Sequence, residues 1–507
     1  MLQKITSLFL ALLLTVFLLA FPRDGGYTVI TEFKYDLFIA ICGGYVLTIA
    51  VLRIMYVVTG AYPVGVIRIK LKNKPLAIKF LLGYLFFTIL SGLFSVYPET
   101  FRGAFRLEGV LTIGIYVLSC FFVANYFHPQ KWILLFLGVV IVPFGILALV
   151  QLTGANIFLL YPYGHNFYGS GIYYTGEFLT TIGNTGLVAA FLSLVVGILA
   201  MALIKYDFRE KWLLAIPLFL ALLMVFVIGV DAAFVAVLAG FTLMLPVGIT
   251  NRRTLARTFI VFAVALTALA FSRIIVFRDG ALQFTSVPYT LFAAIGFVAL
   301  LAVLVIKAEI FSKISTKQYR IGTIFIVLFG ICAALVYLWL YGGESGGMVY
   351  EASQVLRGRW EDDFGTRRVF IWRNILERIT LGTLLLGTGP DTLGHWDIPH
   401  FYRIDDAGRI FITNIDAAHN EFLHIFATGG ILSLVAYAGG LAVAIVNWFC
   451  RPENSLSAVA GSGVLFYLIQ GLFGISQFLT AIFFWACLGI LLSTQKTIGL
   501  KAAPFSA

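Results

Sequence analysis

Asp416-Ala-Ala-His419-Asn420-Glu421-Phe422-Leu423-His424 closes a polar interval that opens at Tyr341, and it runs straight into the apolar segment Ile425-Phe-Ala-Thr-Gly-Gly-Ile. On both sides of that interval the chain reads as bilayer. Residues 342–417 hold 11 of the 24 acidic residues but only 8 of the 35 basic ones. Polarity is therefore gathered in one place, and the remainder reads as a scaffold that holds this stretch over a membrane surface. The whole chain is 61% hydrophobic and only 12% charged, about half the charge of a soluble domain. Apolar runs near 20 residues recur along it, which predicts an all-α, polytopic membrane bundle.

We count fourteen spans: 6–21, 36–57, 78–96, 109–127, 131–152, 178–204, 212–230, 232–249, 258–276, 286–306, 320–341, 418–449, 456–475 and 477–493. The first lacks a small-residue cleavage site and reads as a membrane helix rather than a signal peptide. The chain thus divides into an N-terminal bundle (1–341), a long loop (342–417) and C-terminal helices (418–507). Basic loops decide the orientation. Arg53, Arg68, Lys70, Lys72, Lys74 and Lys79, then Lys205, Arg209 and Lys211, then Arg252, Arg253 and Arg257, then Lys307, Lys313, Lys317 and Arg320 all fall on one side. That side is expected to be the cytoplasm, with both termini, and the loop 342–417 is expected outside. The net charge of +11 then belongs to these loops and implies no nucleic acid. Cys42, Cys120, Cys332, Cys450 and Cys487 lie within or at the ends of apolar runs, so neither a disulfide framework nor a CxxC metal site is expected.

Several polar residues fall outside what topology needs. Arg102 and Arg106 sit on the expected outer face, against the positive-inside trend; they serve either an anionic ligand or local pairing with Glu99 and Glu108. A Tyr- and Gly-rich loop, 153–177, with His165 and Glu177, suits an aromatic membrane interface better than sugar stacking. Asn184, among glycines, opens a helix where backbone can approach closely. Asp231 stands at a hairpin tip as a solvated helix cap or, alternatively, a functional acid. In the long loop, Phe370, Ile371, Ile375 and Ile379 predict an amphipathic helix over 367–379. Arg367 and Arg368 stand at its start, where cations oppose the helix dipole. Their guanidiniums suit a phosphate or pyrophosphate; the alternative is pairing with Glu361, Asp362 and Asp363. Asp416 is expected to cap a helix starting at Ala417, which puts His419 in its first turn. The positive helix end would keep that imidazole neutral and able to take a proton from a hydroxyl. His419 and His424 are five apart and do not form a zinc pair; no metal site is expected.

The His419–Asn420 segment with Thr428-Gly429-Gly430-Ile resembles the signature helix of the O-antigen ligase and Wzy-type polymerase superfamily. Phe364-Gly-Thr-Arg367-Arg368-Val-Phe-Ile-Trp372 and Gly387-Thr-Gly389-Pro390-Asp391 resemble the elements that precede it, in the same order. Weaker similarity reaches Phe101–Gly109 and Ile182-Gly-Asn184, so the resemblance covers roughly residues 90–440. It implies a GT-C-type membrane glycosyltransferase of the bacterial inner membrane, active in cell-envelope polysaccharide synthesis on the outer face. The implied donor is an undecaprenyl-pyrophosphate-linked glycan and the implied acceptor a glycan or glycolipid hydroxyl, with no metal or other cofactor. It further implies His419 as the base, assisted by Asp416 or Asn420, and Arg368 as the pyrophosphate ligand, helped by Arg102, Arg106 or Arg367; Trp372 and Asn184 fall within the matched motifs. Two departures stand out. The Ser-Arg-Gly element of the family reads Gly229-Val-Asp231-Ala-Ala here, without an arginine, and Ser433 occupies the last position of the ligase histidine pattern. The rival classes are a lipid-linked oligosaccharide flippase, expected to carry internal repeats that we do not find, and a polymerase using Asp231, Asp391 or Asp416 as base.

Overall fold

Inside a bilayer every backbone N–H and C=O must be satisfied within its own segment, so apolar runs of this length become helices. In the computed structural model, which describes residues 1–60, 75–153, 155–161, 179–278, 281–404, 410–450 and 454–495, each of the fourteen apolar segments is helical. Among the described residues, ten helices are long and apolar enough to cross a membrane; Leu2–Phe17, Val110–Tyr126, Ser455–Gly471 and Phe478–Thr494 are apolar but shorter. The protein is an all-α polytopic membrane bundle. Two short antiparallel hairpins, 275–278 with 281–284 and 401–404 with 410–413, are its strands among the described residues. Residues 61–74 of the basic loop, and 154 and 162–177 of the loop 153–177, which include His165 and Glu177, lie outside the described residues.

Thr185–Lys205 forms the axis of the bundle, with 94% of its apolar window buried. It packs against Ser455–Gly471, Ala215–Ile228 and Asp231–Gly248. Small residues set these distances: a Cβ on Gly197 would come within 2.6 Å of the Ser462 carbonyl oxygen. Around the axis, Glu421–Cys450 packs on Leu76–Leu93, and Phe478–Thr494 packs on Val110–Tyr126. Tyr289–Lys307 and the apolar window of Thr316–Glu344 are each only 11% buried, the exposure of helices whose solvent is lipid.

The long loop 342–417 folds as Gly347–Leu356, Phe364–Glu377, a single turn Leu381–Leu384 and the second hairpin. The amphipathic segment starts with three consecutive left-handed residues, Gly365, Thr366 and Arg367, and regular helix begins only at Arg368. Its apolar face, Ile371 and Ile375, buries against Leu393, Ile398, Ile415 and Ala418 in a small core separate from the bundle. The Gly387–Asp391 turn docks on a break in the Glu421–Cys450 helix. Gly389 N–H and Ser91 Oγ both donate to the Thr428 carbonyl, at 2.8 and 3.0 Å. Contact is too close for side chains: a Cβ on Gly387 would lie 2.2 Å from Thr428 O, and one on Gly430 would lie 2.3 Å from the Leu385 carbonyl. Both glycines also have positive φ, which adds strain for any other residue.

Candidate functional site

The expectation that Asp416 caps the re-entering helix is not met. That helix begins at Glu421, and Asn420 is its cap: Asn420 Oδ1 accepts from Leu423 N–H at 2.9 Å. Asp416 is diverted because its Oδ1 accepts from Arg106 Nη2 at 2.6 Å, a partner 310 residues away. His419 therefore precedes the helix, with φ of +50°, and does not lie in its first turn. It is held there from the loop side, where Trp372 Nε1 donates to the Ala418 carbonyl at 2.8 Å.

His419 is expected neutral on other grounds. Burial pushes its pKa down to about 4, and the charges of Arg368 and Arg106 push the same way, against the opposing pull of Asp416. Burial, not a place in the first helical turn, is the leading cause. Arg368 reaches the same place from the loop. Its Nε donates to the Phe473 carbonyl at 2.9 Å, and Nη1 to Gly365 O at 2.5 Å and Thr366 Oγ1 at 2.8 Å. The left-handed turn thus aims Arg368 at the bundle, away from the acids Glu361, Asp362 and Asp363. Two of those acids are used by its neighbours: Arg367 with Asp363 at 3.4 Å and Arg373 with Asp362 at 2.8 Å. Asp231 and Glu351 are close enough to favour the charged form of Arg368, while burial disfavours it.

His419, Asn420 and Arg106 line a polar cavity of about 60 Å³, room for a few waters, together with Glu108, Asp391, Glu421, His424, Tyr116 and Tyr437. Asp391 ties the 102–109 loop to the Gly387–Asp391 turn, its Oδ2 accepting from Phe105 N–H at 3.0 Å and Arg106 N–H at 2.8 Å. Glu108 accepts from Tyr116 OH at 2.6 Å, and Glu421 from Tyr437 OH at 2.5 Å. Burial raises the pKa of Asp391, and raises that of Glu108 well above the usual carboxylate range. Buried atoms Arg106 Nε and His424 Nδ1 make no hydrogen bond among the described residues, so the cavity holds polar capacity that the protein itself does not use.

Of the residues singled out in the sequence, six belong to the site: His419, Asn420 and Arg106 line the cavity, Asp416 pairs with Arg106, Trp372 holds Ala418, and the charge of Arg368 acts on His419. Three do not. Arg102 is exposed, pairs with Glu32 at 2.7 Å and lies over the Tyr35 ring. Arg367 turns outward to Asp363. Asn184 caps Thr185–Lys205, accepting from Leu187 N–H at 3.1 Å. Where one of the two readings paired Arg102 and Arg106 with Glu99 and Glu108, the structure pairs them with Glu32 and Asp416. Glu421, His424, Tyr116 and Tyr437 were not anticipated. The readable signal was Glu421 with His424, which stand at i and i+3 on one helix face where the chain enters the membrane. No protein-family model, curated protein or solved structure matches the chain.

Proposed function

We propose that the protein is a membrane glycosyltransferase that moves a glycan from an undecaprenyl-pyrophosphate carrier to an acceptor hydroxyl, as an O-antigen ligase or a polysaccharide polymerase does, on the extracytoplasmic face. One observation carries the reading: burial and the charges of Arg368 and Arg106 all favour an uncharged His419, which lines a polar cavity where a loop meets membrane helices. The motif resemblance adds the substrate class.

In this mechanism the carrier pyrophosphate rests on Arg368, with Arg106 second. Arg102, paired and exposed elsewhere, has no part. His419 takes the proton of the acceptor hydroxyl, whose oxygen attacks the anomeric carbon. The bond from that carbon to the pyrophosphate oxygen breaks, the electron pair leaves with the lipid pyrophosphate, and the anomeric configuration inverts. Stabilising the departing charge is the larger contribution; a general base adds about 10²–10⁴-fold. Asp416 acts through Arg106, holding that cation at the cavity rim.

The test is transfer by the purified protein in proteoliposomes, supplied with undecaprenyl-pyrophosphate glycan and acceptor. His419→Ala and Arg368→Ala should each abolish transfer while the protein stays monodisperse. Full activity of both variants would overturn the assignment, and movement of intact carrier glycan across the bilayer without transfer would favour a flippase.

A further inference from the structure

A second cavity, about 130 Å³, lies toward the other end of the bundle. The Phe478–Thr494 helix passes both: Ser476, just before it, and Trp485 line the polar cavity, while Phe483, Cys487 and Ile490 line the second one. The walls of the second cavity are apolar, with Leu10, Leu134, Phe191 and Ile490 among them. Five helices wall it, Leu2–Phe17, Lys131–Leu152, Thr185–Lys205, Ser455–Gly471 and Phe478–Thr494, and leave a slot beside Leu134.

The mouth of the slot has a different chemistry. Gln130 and Lys131 stand there. Lys131 is exposed and makes no ion pair among the described residues. Trp132, beside it, is 41% exposed, and its indole N–H donates to Gln130 Oε1. An exposed tryptophan next to a lysine marks the headgroup level of a bilayer. The slot therefore descends from that level into the hydrocarbon depth, with one unpaired cation at its entrance. We propose that it is a binding site for an anionic phospholipid, one acyl chain lying in the slot and the phosphate resting on Lys131. Bilayer lipid is the apolar molecule present at this depth, and the cation selects the anionic headgroup. This proposal stands apart from the reading of the polar cavity.

The test is native mass spectrometry of the full chain released from detergent micelles after incubation with phosphatidylglycerol or phosphatidylcholine of the same acyl chains. Phosphatidylglycerol should be retained about fivefold over phosphatidylcholine, the preference one interfacial lysine provides, and Lys131→Gln should remove that preference. Leu134→Trp and, separately, Ile490→Trp should abolish retention in protein that remains monodisperse. A photoactivatable phosphatidylglycerol should label residues 10–14 and 133–137. Equal retention of both lipids, labelling confined to other helices, or unchanged retention in both tryptophan variants would each overturn the proposal. So would stronger retention of undecaprenyl phosphate, which would give the slot to a prenyl chain instead.

Discussion

The neutral state of His419 can be tested without knowing the substrate. In the fold its pKa falls from 6.5 to about 4. Between those values the unfolded chain takes up a proton that the folded protein refuses, so stability declines as pH drops from about 6.5 to 4 and is fully present above 6.5. A difference near 2.5 units sets an upper limit of about 3 kcal/mol, and the residual exposure of the ring reduces this to about 2. For 507 residues, 2 kcal/mol corresponds to a shift of about 2 °C in Tm. The perturbation should be His419→Asn, because asparagine tolerates the left-handed backbone that residue 419 adopts at φ +50°. Thermal unfolding of both proteins in detergent, from pH 7.5 to 4.5, isolates the contribution of this one side chain from every other group that titrates. The wild type should lose about 2 °C relative to His419→Asn across that interval, and the variant should have lost transfer throughout. A Tm difference that stays constant with pH would refute the burial argument. A variant with full transfer activity would refute the role as base.

Four further outcomes follow from the geometry. Arg368→Lys should lose transfer almost as fully as Arg368→Ala, because an ammonium cannot keep the fork that bonds Phe473 O, Gly365 O and Thr366 Oγ1; rescue by lysine in the liposome assay would contradict this. Arg102→Gln should change transfer less than about twofold and stability by less than about 0.5 kcal/mol, since its pair with Glu32 is exposed; a large loss of transfer would return it to the site. The Arg106–Asp416 pair has side chains 20% and 26% exposed, so a double-mutant cycle on thermal stability should give a coupling of about 1–2 kcal/mol, and a coupling of zero would deny the pair. Gly430→Ala should cost about 3 kcal/mol or more, from positive φ and a Cβ 2.3 Å from the Leu385 carbonyl, seen as a fall in Tm; a neutral effect would mean that the Leu385–Asp391 segment does not dock there.

What could be read from the chain itself was whatever depends on composition and local period. The fourteen apolar segments are helical because no alternative satisfies their backbone in lipid, and the polar interval stands out because nothing else in the chain resembles it. His419 and Arg368 were legible as residue types out of place. The reason for His419 being neutral was not. The Asp–Ala–Ala–His pattern suggests a cap at Asp416, but the carboxylate is claimed by Arg106 from another part of the chain, and the cap passes to Asn420. Arg368 looked as ready as Arg367 to pair with the acids at 361–363; three left-handed residues separate their fates, and only Gly365 among them advertises that conformation. Glu108 reads as a surface acid beside two arginines, yet it is 9% exposed because the Asp391 turn folds over the 102–109 loop. These misses share a cause: each depends on a contact between segments far apart in sequence, which no local pattern encodes.

The acids of the cavity bear on the proposed chemistry. An anionic pyrophosphate would be repelled by three ionised carboxylates, and Glu108, Asp391 and Glu421 all line the cavity that Arg106 enters. Burial answers this for the two in the loops: it raises the pKa of Asp391 and raises that of Glu108 well above the usual range, so both are pushed toward their uncharged forms. Asp416, the acid at the rim, is instead paired with Arg106 at 2.6 Å. Arg368 hydrogen-bonds only carbonyls and a hydroxyl among the described residues, and Asp231 and Glu351 act on it only by charge. The site is thus arranged so that burial disfavours the charge on Glu108 and Asp391 while Asp416 is held in a pair. Replacing Glu108 with Gln, which fixes the neutral form, should then leave transfer near wild type at neutral pH. If Glu108→Gln abolished transfer in protein that folds normally, an ionised Glu108 would be required, and the base would have to be reassigned from His419 to this carboxylate.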